Sequence, residues 1–302
     1  MLTLTALVAV GLMLARGGSD DDAAGEADVP DGGSGPGSSP AELPGGGTRI
    51  LPDRRVVAYY GAPQDRELGA LGIGSPKEAA ARLKRQAKPY ETRKRPVLPA
   101  FELLATVAAS DPGEDGEYIL RQPPEVIERY LAAARRAKAI LVLDIQPGRA
   151  DFPGEVERLA RWLREPDVSL ALDPEWHVGP GEVPGQVIGS VDASVVNQVA
   201  RRLQRTIERN DLPQKLLIVH QFTRDMIENR DTLRAPEDVA LTLNVDGFGG
   251  VEIKEAKYRE LRAKPRTGLF NGFKLFYSED DGLMSPERVL KLKPEPDVVV
   301  YE

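Results

Sequence analysis

The chain contains no cysteine, so neither disulfides nor thiolate metal sites can hold it together. Histidine is nearly as scarce, with only His177 and His220 in 302 residues. Neither falls in an H-x-H or H-E-x-x-H pattern, and no metal ion or cofactor is expected. No G-x-G-x-x-G follows the first strand-like run, which removes the usual dinucleotide fingerprint. No G-x-S-x-G occurs, so a serine nucleophile on an elbow is excluded as well. A strong surface field is also missing. Of 47 acids and 40 bases, seven acids and one base (Arg16) lie in residues 1–47, leaving 40 acids and 39 bases for the rest. A body so near neutrality has no electrostatic footprint for gathering DNA or RNA.

Long hydrophobic runs are scarce too. The longest, residues 2–15, is shorter than the roughly 20 residues a bilayer span needs. Residues 1–16 therefore read as a signal peptide or membrane anchor, although the usual basic start is missing. The following Gly, Ser, Asp and Pro-rich stretch has almost no large apolar side chains, and residues 17–47 are expected to form a disordered tether. These features imply an exported protein, secreted or tethered to the outer face of the membrane, that meets the membrane only through its N-terminal segment.

From residue 48 the pattern changes. Eight apolar, strand-like runs appear at 55–61, 97–108, 139–146, 168–173, 215–222, 239–246, 272–277 and 297–301. Between them lie seven stretches read as helices, at 75–88, 123–138, 154–164, 193–210, 223–232, 252–263 and 285–291; in 123–138 Val126, Ile127, Tyr130, Leu131 and Ala134 recur at helical spacing, and in 154–164 Val156, Leu159, Ala160 and Leu163 share a face. Strands separated by helices imply parallel βαβ units, and eight of them in about 255 residues match a (β/α)8 barrel. The expected fold class is thus α/β, a TIM barrel over residues 48–302. Its usual last helix is missing, and residues 48–54 or a neighbouring loop are expected to cover the gap.

Such barrels gather their strand C-termini at one mouth, where their chemistry sits. Residues alternate across a strand, and the helix-facing side should be apolar. That parity puts Asp173 and Glu175 inward after the fourth strand, Asp144 after the third, and Asn244 with Asp246 after the sixth. The fifth strand offers His220 or Gln221, and parity does not choose between them. The seventh offers Lys274. Tyr59 or Tyr60, Trp176 and Tyr301 are candidates for aromatic walls.

Two acids separated by one residue at the end of strand four, with aromatic neighbours, resemble the barrel glycoside hydrolases. The chitinase-like and family 25 lysozyme-like enzymes, whose fourth strand ends in a D-x-E pattern, are the closest parallels. The resemblance covers the barrel plan and Asp173-Pro174-Glu175; the longer chitinase signature is missing, with Ala171 where it has an acid and Ser169 beside it. It implies Glu175 as general acid, Asp173 as its partner, and Asp144 with Asp246 as further acids that orient substrate or act as base. Tyr60, Trp176, His220, Gln221, Asn244, Lys274 and Tyr301 would bind substrate, a polysaccharide or cell-wall glycan. Two other readings use the same residues: a tethered carbohydrate-binding barrel without turnover, and a metal-assisted hydrolase or lyase employing His220.

Overall fold

Near-continuous apolar runs such as Ile140–Leu143 and Leu216–Val219 need two buried faces, and the structure supplies both. A computed structural model describes residues 41–264 and 267–302. Among these, eight parallel strands close on themselves: β1 (Arg55–Gly61), β2 (Val97–Ala108), β3 (Ile140–Ile145), β4 (Val168–Leu172), β5 (Lys215–Gln221), β6 (Val239–Val245), β7 (Phe270–Leu275) and β8 (Val298–Tyr301). β1 pairs with both β2 and β8, so the sheet has no open edge in the ring. The (β/α)8 barrel is therefore shown, with each strand neighbouring the next in sequence.

The helices between strands are set by local signals. In α1 (Pro76–Ala87), Ser75 and Glu78 form a reciprocal capping box and Pro76 fits the first turn. The next two strand-to-strand connections carry α2 (Pro124–Arg136), and then α3 (Phe152–Arg158) with α4 (Ala160–Leu163). Thus the single helix expected over 154–164 is broken at Leu159. α5 (Ala193–Asn210) is capped by Asp192 and ends where Asp211 turns left-handed, with φ 50°. α6 (Val251–Leu261) and α7 (Pro286–Leu290) complete the set.

The connection between β5 and β6 departs from expectation. Residues 223–232 do not form an α-helix. Ile227–Glu228 instead pairs with Val191–Asp192 as a two-stranded ribbon, Asn229 adopts a left-handed φ of 51°, and one 3-10 turn follows at Arg230–Thr232. Met226, Ile227 and Leu233 bury their side chains there, so extended backbone achieves what a helix face would have done.

Two apolar layers result. Outward residues such as Val57, Phe101, Leu143, Leu170, Leu217 and Leu241 pack under the helices. The inner layer is built from smaller or branched side chains, among them Val56, Ala58, Ala100, Val142, Ala171, Ile218 and Val300. Each fully buried Val, Leu or Ile contributes about 1.5–3 kcal/mol relative to exposure. Ile50 and Leu51 join this inner layer at the N-terminal end of the barrel, where Gln214 Oε1 accepts both their backbone N–H groups at 2.9 and 2.8 Å. Residues 48–54 thus plug the barrel bottom rather than cover a gap beside β8. The outer face of β8 is met by aromatic packing, with Tyr301 against Tyr59, Tyr90 and Tyr277. Leu43, also buried in the inner cluster, shows that contacts with the barrel begin before residue 48. The expected N-terminal segment 1–16, and most of the linker, lie outside the described residues; no described helix is long and apolar enough to cross a membrane.

Candidate functional site

At the mouth of the barrel, every strand or the residue just after it directs a polar side chain inward. Tyr60 comes from β1 and Glu102 from β2; Asp144 and, just beyond, Gln146 come from β3. Asp173 follows β4, His220 ends β5, Asn244 and Asp246 come from β6, Lys274 from β7, and Glu302 follows β8. Their parity is that of the inner apolar layer below them. Except for Glu302, all are buried.

A hydrogen-bonded chain runs across this mouth. Gln146 Nε2 donates to Tyr60 Oη at 3.0 Å. Lys274 Nζ stands 3.6 Å from the Tyr60 ring centroid and pairs with Glu302 Oε2 at 2.7 Å and Asp246 Oδ2 at 3.5 Å. Asp246 accepts from Asn244 Nδ2 at 2.6 Å and meets His220 Nδ1 at 2.8 Å. The other imidazole nitrogen, Nε2, lies 3.0 Å from Glu102 Oε1 and 3.6 Å from Asp144 Oδ2. Gly272 makes this packing possible, since a Cβ there would sit 2.1 Å from Asn244 Oδ1. Lys254, on α6, braces the rim by donating to the carbonyls of Gly247 and Lys274 at 2.9 and 3.0 Å.

The balance of charge is lopsided. Six carboxylates (Glu102, Asp144, Asp173, Glu175, Asp246 and Glu302) share the mouth with Lys274 and His220 as the cations. Burial pushes Asp144 well above the usual carboxylate range, with Asp173 and Glu102 adding repulsion. Burial likewise raises Asp173 to about 6. It raises Glu175 further, and the neighbouring Asp173 charge adds to the effect. Asp246 behaves oppositely: burial works against its charge, but His220 and Lys274 overcome this and hold it below its ordinary value. Burial also opposes charge on Lys274 and His220, yet their carboxylate neighbours outweigh it and keep both cationic well above their usual range.

The residues singled out from sequence divide clearly. Asp144, Asp173, Asp246, Tyr60, His220, Asn244 and Lys274 are brought together at the mouth. Glu175 joins them by a different route than alternation: β4 ends at Leu172, and Pro174–Trp176 is a 3-10 turn, so the extended-strand spacing between Asp173 and Glu175 does not apply. Trp176 follows at the rim, half-buried, its indole Nε1 shielded and without a protein acceptor among the described residues. Two candidates do not reach the site. Gln221 has the parity of Leu217 and Val219; it faces the helices and donates to the Leu261 carbonyl at 3.0 Å. Tyr301 also points outward, its hydroxyl 2.6 Å from that of Tyr90. His177 holds a loop, with Nδ1 2.6 Å from the Ser190 carbonyl oxygen and its ring against Phe152.

Glu102 and Glu302 escaped the sequence reading. Attention to strand ends passed over Glu102, which lies in the middle of a twelve-residue strand. The available signal was a lone charge in an otherwise apolar run, on the parity of Leu98, Ala100 and Leu104. No protein-family model matches the chain, and no curated protein matches it either.

Proposed function

We propose that this protein is an exported, glycoside-hydrolase-like enzyme acting on an extracellular or cell-wall polysaccharide by carboxylate acid/base catalysis. The observation that carries the reading is the pair of acids after β4: burial raises Asp173 to about 6, and burial with the Asp173 charge raises Glu175 well above its ordinary value. Glycoside hydrolysis needs a division of labour between two acids. Glu175 gives its proton to the glycosidic oxygen as the bond to the anomeric carbon breaks. Asp173, ionised, takes a proton from the water that adds to that carbon, and exchange with solvent restores both groups. Asp246, locked in its charged form, and Asn244, Lys274 and Tyr60 offer fixed hydrogen-bonding groups for sugar hydroxyls, with Asp144 as a further acid in the cleft. At the rim, Phe248 is 55% exposed and packs edge-on to Phe276, 6.2 Å between centroids, beside the mouth where sugar faces could stack.

The test is release of reducing ends from a panel of wall and plant polysaccharides by the full chain. Wild type should turn over one class of polymer, and Glu175→Gln should lose at least about a hundredfold with circular dichroism unchanged. Saturable binding without turnover would replace the enzyme with a carbohydrate-binding barrel. Undiminished rates in both Glu175→Gln and Asp173→Asn would remove these two residues from the chemistry.

A further inference from the structure

The most unusual feature of the mouth is the floor, where Glu102, Asp144 and His220 meet with no exposure to solvent above 1%. Each can present one ligand atom such that all three lie within 4.8 Å of one another. Neither oxygen of Asp144, nor Glu102 Oε2, has a hydrogen-bond partner among the described residues. Buried carboxylate oxygens left without partners are costly, and a bound cation is one way to satisfy them.

We infer that Glu102, Asp144 and His220 form a binding site for a divalent first-row transition ion, of the zinc or manganese kind. The spacing fits. Bonds of about 2.1 Å around a tetrahedral centre place neighbouring ligand atoms about 3.4 Å apart. His220 Nε2 lies 3.0 Å from Glu102 Oε1 and 3.6 Å from Asp144 Oδ2, which brackets that value. The donor set, one imidazole and two carboxylates, suits such ions better than calcium or magnesium, which prefer oxygen alone.

The surroundings of the histidine make the stronger case. Metal-bound imidazoles characteristically donate their second N–H to a carboxylate, which fixes the tautomer and the ring plane. Asp246 Oδ2 stands 2.8 Å from His220 Nδ1 and 3.5 Å from Lys274 Nζ, while Asp246 Oδ1 accepts from Asn244 Nδ2 at 2.6 Å. With Nδ1 bearing the proton toward Asp246, the Nε2 lone pair faces Glu102 and Asp144. The ion takes the place of the proton that otherwise links Nε2 to Glu102, and its charge offsets two of the clustered acids. The three ligands come from β2, β3 and β5, rigid strands rather than loops, as a pre-organised site requires.

This inference stands apart from the hydrolase reading, and the experiment separates them. The full chain is stripped with EDTA, dialysed, and titrated calorimetrically with Zn2+ and, separately, Mn2+. One equivalent should bind with a micromolar or tighter dissociation constant. Asp144→Asn and Glu102→Gln, which preserve shape, should each weaken binding at least tenfold, and Asp246→Asn should weaken it 10- to 100-fold through the histidine. Glu175→Gln should bind as wild type does, whatever happens to turnover. No saturable binding of either ion, or binding undisturbed in the folded Asp144→Asn and Glu102→Gln proteins, would overturn the site.

Discussion

Two residues along any barrel strand separate two different interiors. Below the mouth stand Ala58, Ala100, Val142, Ala171, Ile218, Thr242, Gly272 and Val300; one inward step later come Tyr60, Glu102, Asp144, Asp173, His220, Asn244, Lys274 and Glu302. Backbone, register and burial are continuous across the boundary, while the chemistry reverses. The lower layer follows what packing favours, small and branched apolar groups closed off by Ile50 and Leu51. The upper layer does the opposite and gathers acids out of water, where each ion costs several kcal/mol unless it is paired. A fold gains nothing from such an arrangement on its own account, and a site that must bind or react does. The same barrel thus separates stability and function by height along its axis.

Breaking the lower layer should give the largest stability effect. Leu216→Ala removes an inner side chain with no exposure and should cost about 2–5 kcal/mol, read as a shifted midpoint in urea unfolding. Reducing-end release per folded molecule should stay at the wild-type rate, because nothing at the mouth is touched. A large loss of turnover in the folded variant would show that the two layers are not separable.

A pH titration sharpens the contrast from the other side. The free Asp173 side chain would ionise near 3.8, whereas burial raises it to about 6 in the folded chain. Between about pH 4 and 6 the folded state therefore holds more protons than the unfolded state at this residue. Its contribution to stability is present below pH 4 and is lost as pH rises through 6. Asp173→Asn should consequently show a shallower fall in melting temperature across that window and melt higher than wild type at pH 7. Parallel curves for the two proteins would mean that Asp173 does not carry the burden assigned to it.

The smallest effect should come from the outer face at the same height. Tyr301→Phe removes the hydroxyl bonded to Tyr90 and should cost about 1 kcal/mol in chemical denaturation. Turnover should not change, since Tyr301 and Glu302 are adjacent in sequence but face opposite sides of β8. Lost activity with an intact fold would return Tyr301 to the cleft.

Much of this division was legible before any coordinates. Parity alone placed Asp144 inward on the third strand, and Asn244 and Asp246 inward on the sixth, because Leu241, Leu243 and Val245 demanded the helix layer. It failed to decide between His220 and Gln221, since both are polar at the end of a run whose members are all buried; the neighbours Leu216 and Ile218 inside, and Leu217 and Val219 outside, decide it in three dimensions. Tyr301 misled because an aromatic at a strand end fits either layer. The segment 223–232 misled because Met226 and Ile227 sit at positions a helix could use, whereas the left-handed Asn229 and the pairing of Ile227 with Val191 belong to extended structure. Glu102 was hidden by strand length: β2 continues well past it, so the mouth cuts this strand in its middle.

The most direct test of the claim that the upper layer serves a ligand or a reaction rather than the fold is the thermal stability of Asp144→Asn, measured in EDTA at pH 7. Asp144 is buried, both its oxygens lack hydrogen-bond partners, and Glu102 and Asp173 repel it while His220, 3.6 Å away, attracts it. Replacing it with a neutral side chain of the same shape should raise the melting temperature, because burial and the neighbouring acids outweigh the attraction of His220 at this carboxyl. A fall of several degrees would contradict the account, showing that the acids at the mouth hold the barrel together.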